Sequence, residues 1–455
     1  MKDSTRSILT EGNVNRTLIK LSLQMFVGII AMQAFNLIDT FFIGQLGANE
    51  LAAMGFTFPV VLVINSLTLG LGIGTSSVIS RAIGEGNSAK VRRLTTDSLI
   101  LSLMIVTIFV LIGMTTITPL FRALGATEEI LAFIKSYMRI WYFGMPFVVI
   151  PMVGNNAIRA TGDTKTPSMI MLCAVAVNLL LDPLLIFGPG PLPRWELAGA
   201  AAATVIARSI TMLLSLWVLY HREKMITFEF PGLKDMFQSW KKILYIGLPA
   251  GGTNLIMPVS MGIVTRLVAI YGATAVAGFG VGSRIQMFSM SIMISLGAVL
   301  TPFVGQNWGA KRIGRIKEAI LFSYKASSVW GGFLFFLFQI AAAFIARLFN
   351  TNPEIVHTTT IYLKIVSFSF SGLGIMMLSA GVFNALNKPV PASALMLIRM
   401  FTLYVPLAFL GSHFFALTGI FSAAVVANFV SAGLAYIWIK RELNKHGSQI
   451  SSKTK

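Results

Sequence analysis

The chain has 455 residues, of which 55% are hydrophobic and 12% charged, with a formal net charge of +19. So small a charged fraction, about half that of an average soluble domain, excludes a soluble globular protein. The basic residues collect in short loops between apolar runs, so the positive charge reads as membrane orientation and not as affinity for nucleic acid, and the single cysteine, Cys173, excludes an intrachain disulfide or a cysteine metal cluster.

In chain order, residues 1–20 are polar and mixed in charge, and the apolar run from Leu21 to Ile43 is too long for a signal-peptide core, so it is expected to be retained as the first span. Runs able to cross a bilayer follow at 17–43, 51–79, 95–118, 131–158, 167–188, 197–220, 243–270, 275–304, 318–346, 357–386, 391–412 and 417–439, which predicts twelve transmembrane helices and an all-α membrane protein. Basic residues alternate by loop: Arg81, Lys90, Arg92 and Arg93 after the second span, Arg159 and Lys165 after the fourth, and Arg222, Lys224, Lys234, Lys241 and Lys242 after the sixth. Lys311, Arg312, Arg315 and Lys317 follow the eighth, Lys388 the tenth, and Lys440, Arg441 and Lys445 lie in the tail. By the positive-inside rule both termini are expected in the cytoplasm.

The halves repeat at an offset of roughly 220 to 228 positions, the parallel type of repeat expected when each half has an even number of spans. Tyr137-Met-Arg-Ile-Trp-Tyr-Phe143 matches Tyr362-Leu-Lys-Ile-Val-Ser-Phe368, and Gly84-Glu-Gly-Asn-Ser-Ala-Lys90 matches Gly305-Gln-Asn-Trp-Gly-Ala-Lys311. Gly199 with Val205-Ile206-Ala207 matches Gly419 with Val425-Val426-Ala427. The expected organisation is an N-terminal six-helix lobe over 1–225, a cytoplasmic linker over 226–242 containing Pro231-Gly232, and a C-terminal six-helix lobe with a basic tail over 243–455. Two lobes around a cavity, working by alternating access, is a transporter plan.

Two carboxylates are embedded in apolar sequence: Asp39, between Leu37-Ile38 and Phe41-Phe42, and Asp182, in Leu179-Leu180-Leu181-Asp182-Pro183-Leu184-Leu185. An ionisable group at membrane depth marks a functional site by default. If the first and fifth spans run outward and the sixth inward, Asp39, Asp182, Ala200 and Thr204 share the outer half of the membrane. Met32, Phe35, Asn36 and Asp39 lie on one helical face, Asn178 and Asp182 are one turn apart, and Pro183 cannot bond the carbonyl of Leu179. Carboxylate, amide, hydroxyl and carbonyl oxygens suit a hard cation. Two carboxylates close together in low dielectric cannot both stay ionised without compensation, so the site suits either a proton or a sodium ion. The competing reading is an ion pair within the membrane, with Arg208, one turn beyond Thr204, as partner.

Asn36-Leu-Ile-Asp39-Thr-Phe-Phe-Ile-Gly44-Gln-Leu-Gly47, Arg159-Ala-Thr-Gly-Asp163-Thr-Lys-Thr-Pro167 and Asn178-Leu-Leu-Leu-Asp182-Pro183 together resemble the multidrug and toxic compound extrusion (MATE) transporters, over the whole chain. The resemblance is greatest to the DinF-like branch, and it implies a V-shaped fold of two six-helix lobes with the cation site in the N-terminal lobe. Residues carried over to that site are Asp39, Asn178, Asp182, Ala200 through its carbonyl, and Thr204, with Met32, Phe35 and Asn36 at cavity-lining positions. The NorM-like branch uses acids in the seventh and tenth spans, where this chain has Thr253-Asn254 and Ser379 with Asn384. Members often carry a proline early in the first span; Leu23-Gln24-Met25 stands there instead, which puts a proline-centred kink in doubt.

Met257, Met261, Met287 and Met290, with Met293, cluster as a soft surface suited to promiscuous binding, though for any one of them a lipid-facing or core-filling role is the stronger reading. Gly70, Gly72 and Gly74 follow no strand and read as close helix packing, not as a phosphate loop. Arg266, Arg284 and Arg399 are embedded bases for which carbonyl pairing or snorkelling competes with binding an anionic headgroup, and the four histidines show no metal-ligand spacing. The expectation is a non-enzymatic secondary antiporter of the bacterial cytoplasmic membrane, monomeric and without cofactor or nucleic-acid partner. It exchanges cationic or amphipathic drugs for an inward cation, the proton first and sodium second. The alternatives are a lipid-linked precursor flippase of the same superfamily and a membrane-embedded lipid enzyme.

Overall fold

A computed structural model describes residues 8–188, 193–229 and 232–451, and every regular element among them is helical. Apolar runs fold this way because lipid offers backbone N–H and C=O groups no partner beyond those of their own segment. Nine helices among the described residues are long and apolar enough to cross a membrane, and Ala273–Ser289 with Ser291–Gly309 makes a further span across a 44° bend. The stretch Pro389–Lys445 is broken where Phe415 and Ala416 leave helical geometry, so it supplies the eleventh and twelfth spans. Glu128–Ala160 is the fourth, and the twelve expected helices are present.

The spans that carry the argument are the first, Val14–Gly44; the second, Ala48–Gly84; the fourth; the fifth, Lys165–Phe187; the sixth, Glu196–Trp217; and the seventh, Leu233–Ala269. The connection before the seventh span is shorter than the expected 226–242, because residues from Leu233 onward are already helical. Their first turns are held by Trp240, whose indole N–H donates to the Asp97 carbonyl at 3.0 Å, and by burial of Trp240 and Met236 in an apolar cluster with Val91, Leu94 and Leu101. Gly70 and Gly74 pack directly on the seventh span: a Cβ at Gly70 would meet the Gly247 carbonyl and one at Gly74 the Ile243 carbonyl, the close packing expected of this glycine stripe.

The chain divides into two compact units, one comprising Gln24–Gly251 and the other Leu9–Leu23 with the residues from Gly252 onward. Within the second unit, Arg315 donates to the carbonyls of Leu9 (3.2 Å), Glu11 (3.0 Å) and Gly12 (2.7 Å). The Leu9 N–H reaches Gln306 Oε1 at 3.2 Å, so this short segment is tied down through its backbone whatever its side chains.

The repeat is visible in the packing of each unit. A Cβ at Gly199 would fall on the carbonyl of Leu185, and one at its repeat counterpart Gly419 would fall on the carbonyl of Gly411. In both units, then, the sixth helix of the repeat starts against the backbone of the fifth, and only glycine leaves room for it.

Asp163 ties the loop after the fourth span to the end of the sixth. It accepts from the Thr166 N–H (3.0 Å) and hydroxyl (2.5 Å) and from Arg222, which also donates to Glu223. Burial pushes the Asp163 carboxyl up, but the bonds from Thr166 and the guanidinium of Arg222 outweigh it and hold the carboxyl below its ordinary range. A depressed carboxyl stabilises the fold above the unfolded value of about 4 and loses that contribution as pH falls through the folded one. The thermal midpoint of Asp163→Asn should therefore lie below that of the wild type by a constant gap near neutral pH, and the gap should close below about pH 4.

Candidate functional site

The first, fourth, fifth and sixth spans bring the embedded acids together inside the first unit. On the fifth span Asn178 and Asp182 are one turn apart and fully enclosed, and the Asn178 amide donates to Asp182 Oδ1 at 2.9 Å. Pro183 follows inside the helix, so the carbonyl of Leu179 has no N–H at the usual position. Asp39 lies within electrostatic reach of Asp182. The close approach at Gly199, reinforced by the Trp195 N–H donating to the Leu185 carbonyl at 3.1 Å, seats the sixth span beside Asp182. Ala200, the next residue, is completely buried, and Thr204 follows one turn later, partly buried.

Three acceptor oxygens here have no hydrogen-bond partner: Asp39 Oδ1, Asp182 Oδ2 and Asn178 Oδ1. Enclosed acceptors in this state are costly unless a proton or cation satisfies them. No group of three or more acids, histidines or cysteines forms among the described residues.

Arg208 forms no ion pair with either acid. Its guanidinium lies over the ring of Phe35, 4.6 Å from the centroid. Asp39 feels its charge, yet none of the ion pairs among the described residues includes Arg208, Asp39 or Asp182. Cation–π stacking thus holds the base one step back from the carboxylates. Phe35, one turn before Asp39, thereby acquires a definite role.

Tyr137 of the fourth span is buried and within electrostatic reach of both Asp39 and Asp182. Its sequence context marked it only as part of the repeat, since a tyrosine in an apolar helix is an ordinary core residue. Of the other expected positions, Met32 is at the exposed margin, and the side chain of Asn36 lies outside the described residues. In the second unit Met257 and Met287 are exposed and Met261 partly so, but Met290 is only 3% exposed. It stands between the two halves of the bent eighth span and fills the core. Thr253, at a position where the other branch places an acid, donates to the Ser393 hydroxyl at 2.9 Å.

The MatE family profile matches residues 25–184 and 249–410, each covering most of one half of the repeat. The chain belongs to the MatE family. It is 37% identical over 441 residues to the FAD transporter of Shewanella oneidensis, covering 97% of both chains. To the multidrug export protein MepA of Staphylococcus haemolyticus it is 27% identical, covering 96% of this chain and 95% of that one. The crystal structure of the Vibrio cholerae MATE transporter VcmN in its bent form superimposes with a TM-score of 0.90 at 30% identity, over 95% of this chain and 97% of that one. This MatE family member is accordingly a multi-pass membrane transporter of small molecules and not an enzyme.

Proposed function

We propose that this transporter is a secondary antiporter of the bacterial cytoplasmic membrane. In this reading it acts as a monomer with both termini in the cytoplasm, and it exports cationic or amphipathic molecules in exchange for an inward cation held by Asp39 and Asp182. The observation that carries the reading is the set of unpartnered oxygens on Asp39, Asp182 and Asn178, which Arg208 leaves unsatisfied. The Ala200 carbonyl and the Thr204 hydroxyl complete the coordination. Met32, Phe35 and Asn36 are substrate-binding positions of the first unit, and Met257, Met261 and Met287 are those of the second. A proton is the first choice of ion, because a pair of enclosed carboxylates accepts one without a complete ligand cage; sodium is the second.

Binding of the cation at the acid pair reshapes the first unit and weakens its hold on the substrate. Linkage then requires the substrate to weaken cation binding by the same free energy. Dye efflux from proteoliposomes under separately imposed pH and sodium gradients tests this: the pH gradient alone should drive efflux, and efflux driven by neither gradient would remove the antiporter reading.

Two substrate readings follow from the relatives. Export of drugs is favoured by the multidrug export protein of Staphylococcus haemolyticus, and a cationic character of those drugs by the acid pair. A flavin nucleotide is favoured by the more similar FAD transporter of Shewanella oneidensis and by a buried base in the second unit.

A further inference from the structure

Of the three embedded arginines in the second half, Arg266 and Arg284 are exposed and only Arg399 is enclosed, 7% exposed. It lies on a π-helical stretch, Ile398–Tyr404, of the eleventh span. Such stretches are uncommon and occur frequently at functional sites. Its Nη1 donates to Asn428 Oδ1 at 3.0 Å and its Nη2 to the Met396 sulfur at 3.6 Å, while Nε has no partner. Tyr362 and Tyr404, both buried, lie within its electrostatic reach. No ion pair among the described residues includes it. All its partners are neutral, so a full positive charge stays uncompensated in the interior of a membrane protein. Such a charge is expensive unless an anion meets it.

The repeat gives this base a meaning. Asn428 stands at the same offset from Arg208 as Gly419 does from Gly199, and Tyr362 is the counterpart of Tyr137. The fifth and sixth spans carry Asn178 and Arg208; the eleventh and twelfth carry Arg399, one position beyond the counterpart of Asn178, and Asn428. The positions of Asp39 and Asp182 have no acidic counterparts in the second unit's cluster. Two of its neutral members are already engaged: the Asn428 amide donates to Ser369 Oγ at 2.9 Å, and the Tyr362 hydroxyl to Gln286 Oε1 at 2.6 Å. The second unit thus carries an enclosed base on the spans that correspond to those carrying Asp182 and Arg208 in the first.

We infer that Arg399 is the centre of an anion-binding site in the second unit, built to take a phosphate or carboxylate group, with the Tyr362 and Tyr404 hydroxyls beside it. A guanidinium suits such a group because it offers a planar fork of donors and is more weakly hydrated than an ammonium. The site takes the acidic end of an exported molecule, and this inference rests on the reading that the chain exports an organic solute.

Riboflavin and its 5′-phosphate, FMN, share one fluorescent ring and differ by a phosphate, so fluorescence anisotropy with the purified full-length protein at fixed ionic strength isolates that group. The wild type should bind FMN about tenfold or more tightly than riboflavin, as a hydrogen-bonded ionic contact implies. Arg399→Gln should abolish the preference by weakening FMN alone, and Arg399→Lys should retain part of it, which separates loss of charge from loss of fold. A second arm titrates inorganic phosphate and follows the thermal midpoint. Stabilisation of the wild type by phosphate but not of Arg399→Gln, with no preference between the flavins, would assign the site to a free anion. Equal binding of the two flavins, or no binding of either, together with no Arg399-dependent effect of phosphate overturns the inference, as does an FMN preference unchanged in Arg399→Gln. Binding in detergent needs no ion gradient, so this result is independent of whether Asp39 and Asp182 couple a cation.

Discussion

Asp39→Asn should reduce cation-driven efflux from proteoliposomes by on the order of 100-fold, the upper range of coupling free energies between linked sites. Substrate binding in detergent should survive. Asn keeps the size and one acceptor oxygen of the carboxylate but cannot exchange a proton or balance a sodium ion. The remaining acid, Asp182, would be left with its single bond from Asn178 and no second carboxylate to share a cation. The thermal midpoint, measured alongside, separates lost transport from lost folding, since the substitution removes both the like charge beside Asp182 and the acid within reach of Arg208. Asp182→Asn should behave alike. Retained efflux in both variants would mean that the unpartnered oxygens serve no coupling ion.

The second large effect is expected at a residue with no chemistry of its own. Gly199→Ala places a methyl group on the Leu185 carbonyl, a backbone atom that cannot rotate aside. The fifth and sixth spans must separate, at a cost of about 1–3 kcal/mol by analogy with overpacked cores. That separation carries Ala200 and Thr204 away from Asp182. Gly199→Ala should therefore lower the thermal midpoint and also shift the cation dependence of efflux. Gly419→Ala makes the corresponding clash with Gly411 in the second unit; it should lower the midpoint while leaving the cation dependence unchanged. Differential scanning fluorimetry paired with efflux at graded pH distinguishes the two outcomes. An identical response of both variants would separate the packing at Gly199 from the acid site.

Much of this arrangement was legible in the sequence because a membrane makes polarity conspicuous. Asp39, Asp182 and Asn178 stood out as polar groups in apolar runs, and the twelve helices followed from the lengths of those runs. The glycines also spoke through pattern, Gly199 and Gly419 through the repeat and Gly70 with Gly74 through their spacing. Helix ends were less legible, since hydropathy stops at the membrane surface while the seventh helix begins at Leu233, held there by Trp240. What hydropathy and spacing cannot convey is direction. Arg208 stood as the competing ion-pair partner in sequence, and its guanidinium lies instead over Phe35. Met290 read as one of a surface group, but the 44° bend beside it turns it into the core. Tyr137 carried no signal because only the three-dimensional meeting of three helices makes it a neighbour of two acids.

Proton release from the purified transporter tests the acid pair most directly. In weakly buffered, sodium-free solution, adding a transported dye should release protons from the wild type, less as pH rises and the pair empties. Release should be absent in the doubly substituted Asp39→Asn, Asp182→Asn protein, which can still be shown to bind the dye. Undiminished release from that variant would contradict the assignment of the coupling ion to Asp39 and Asp182.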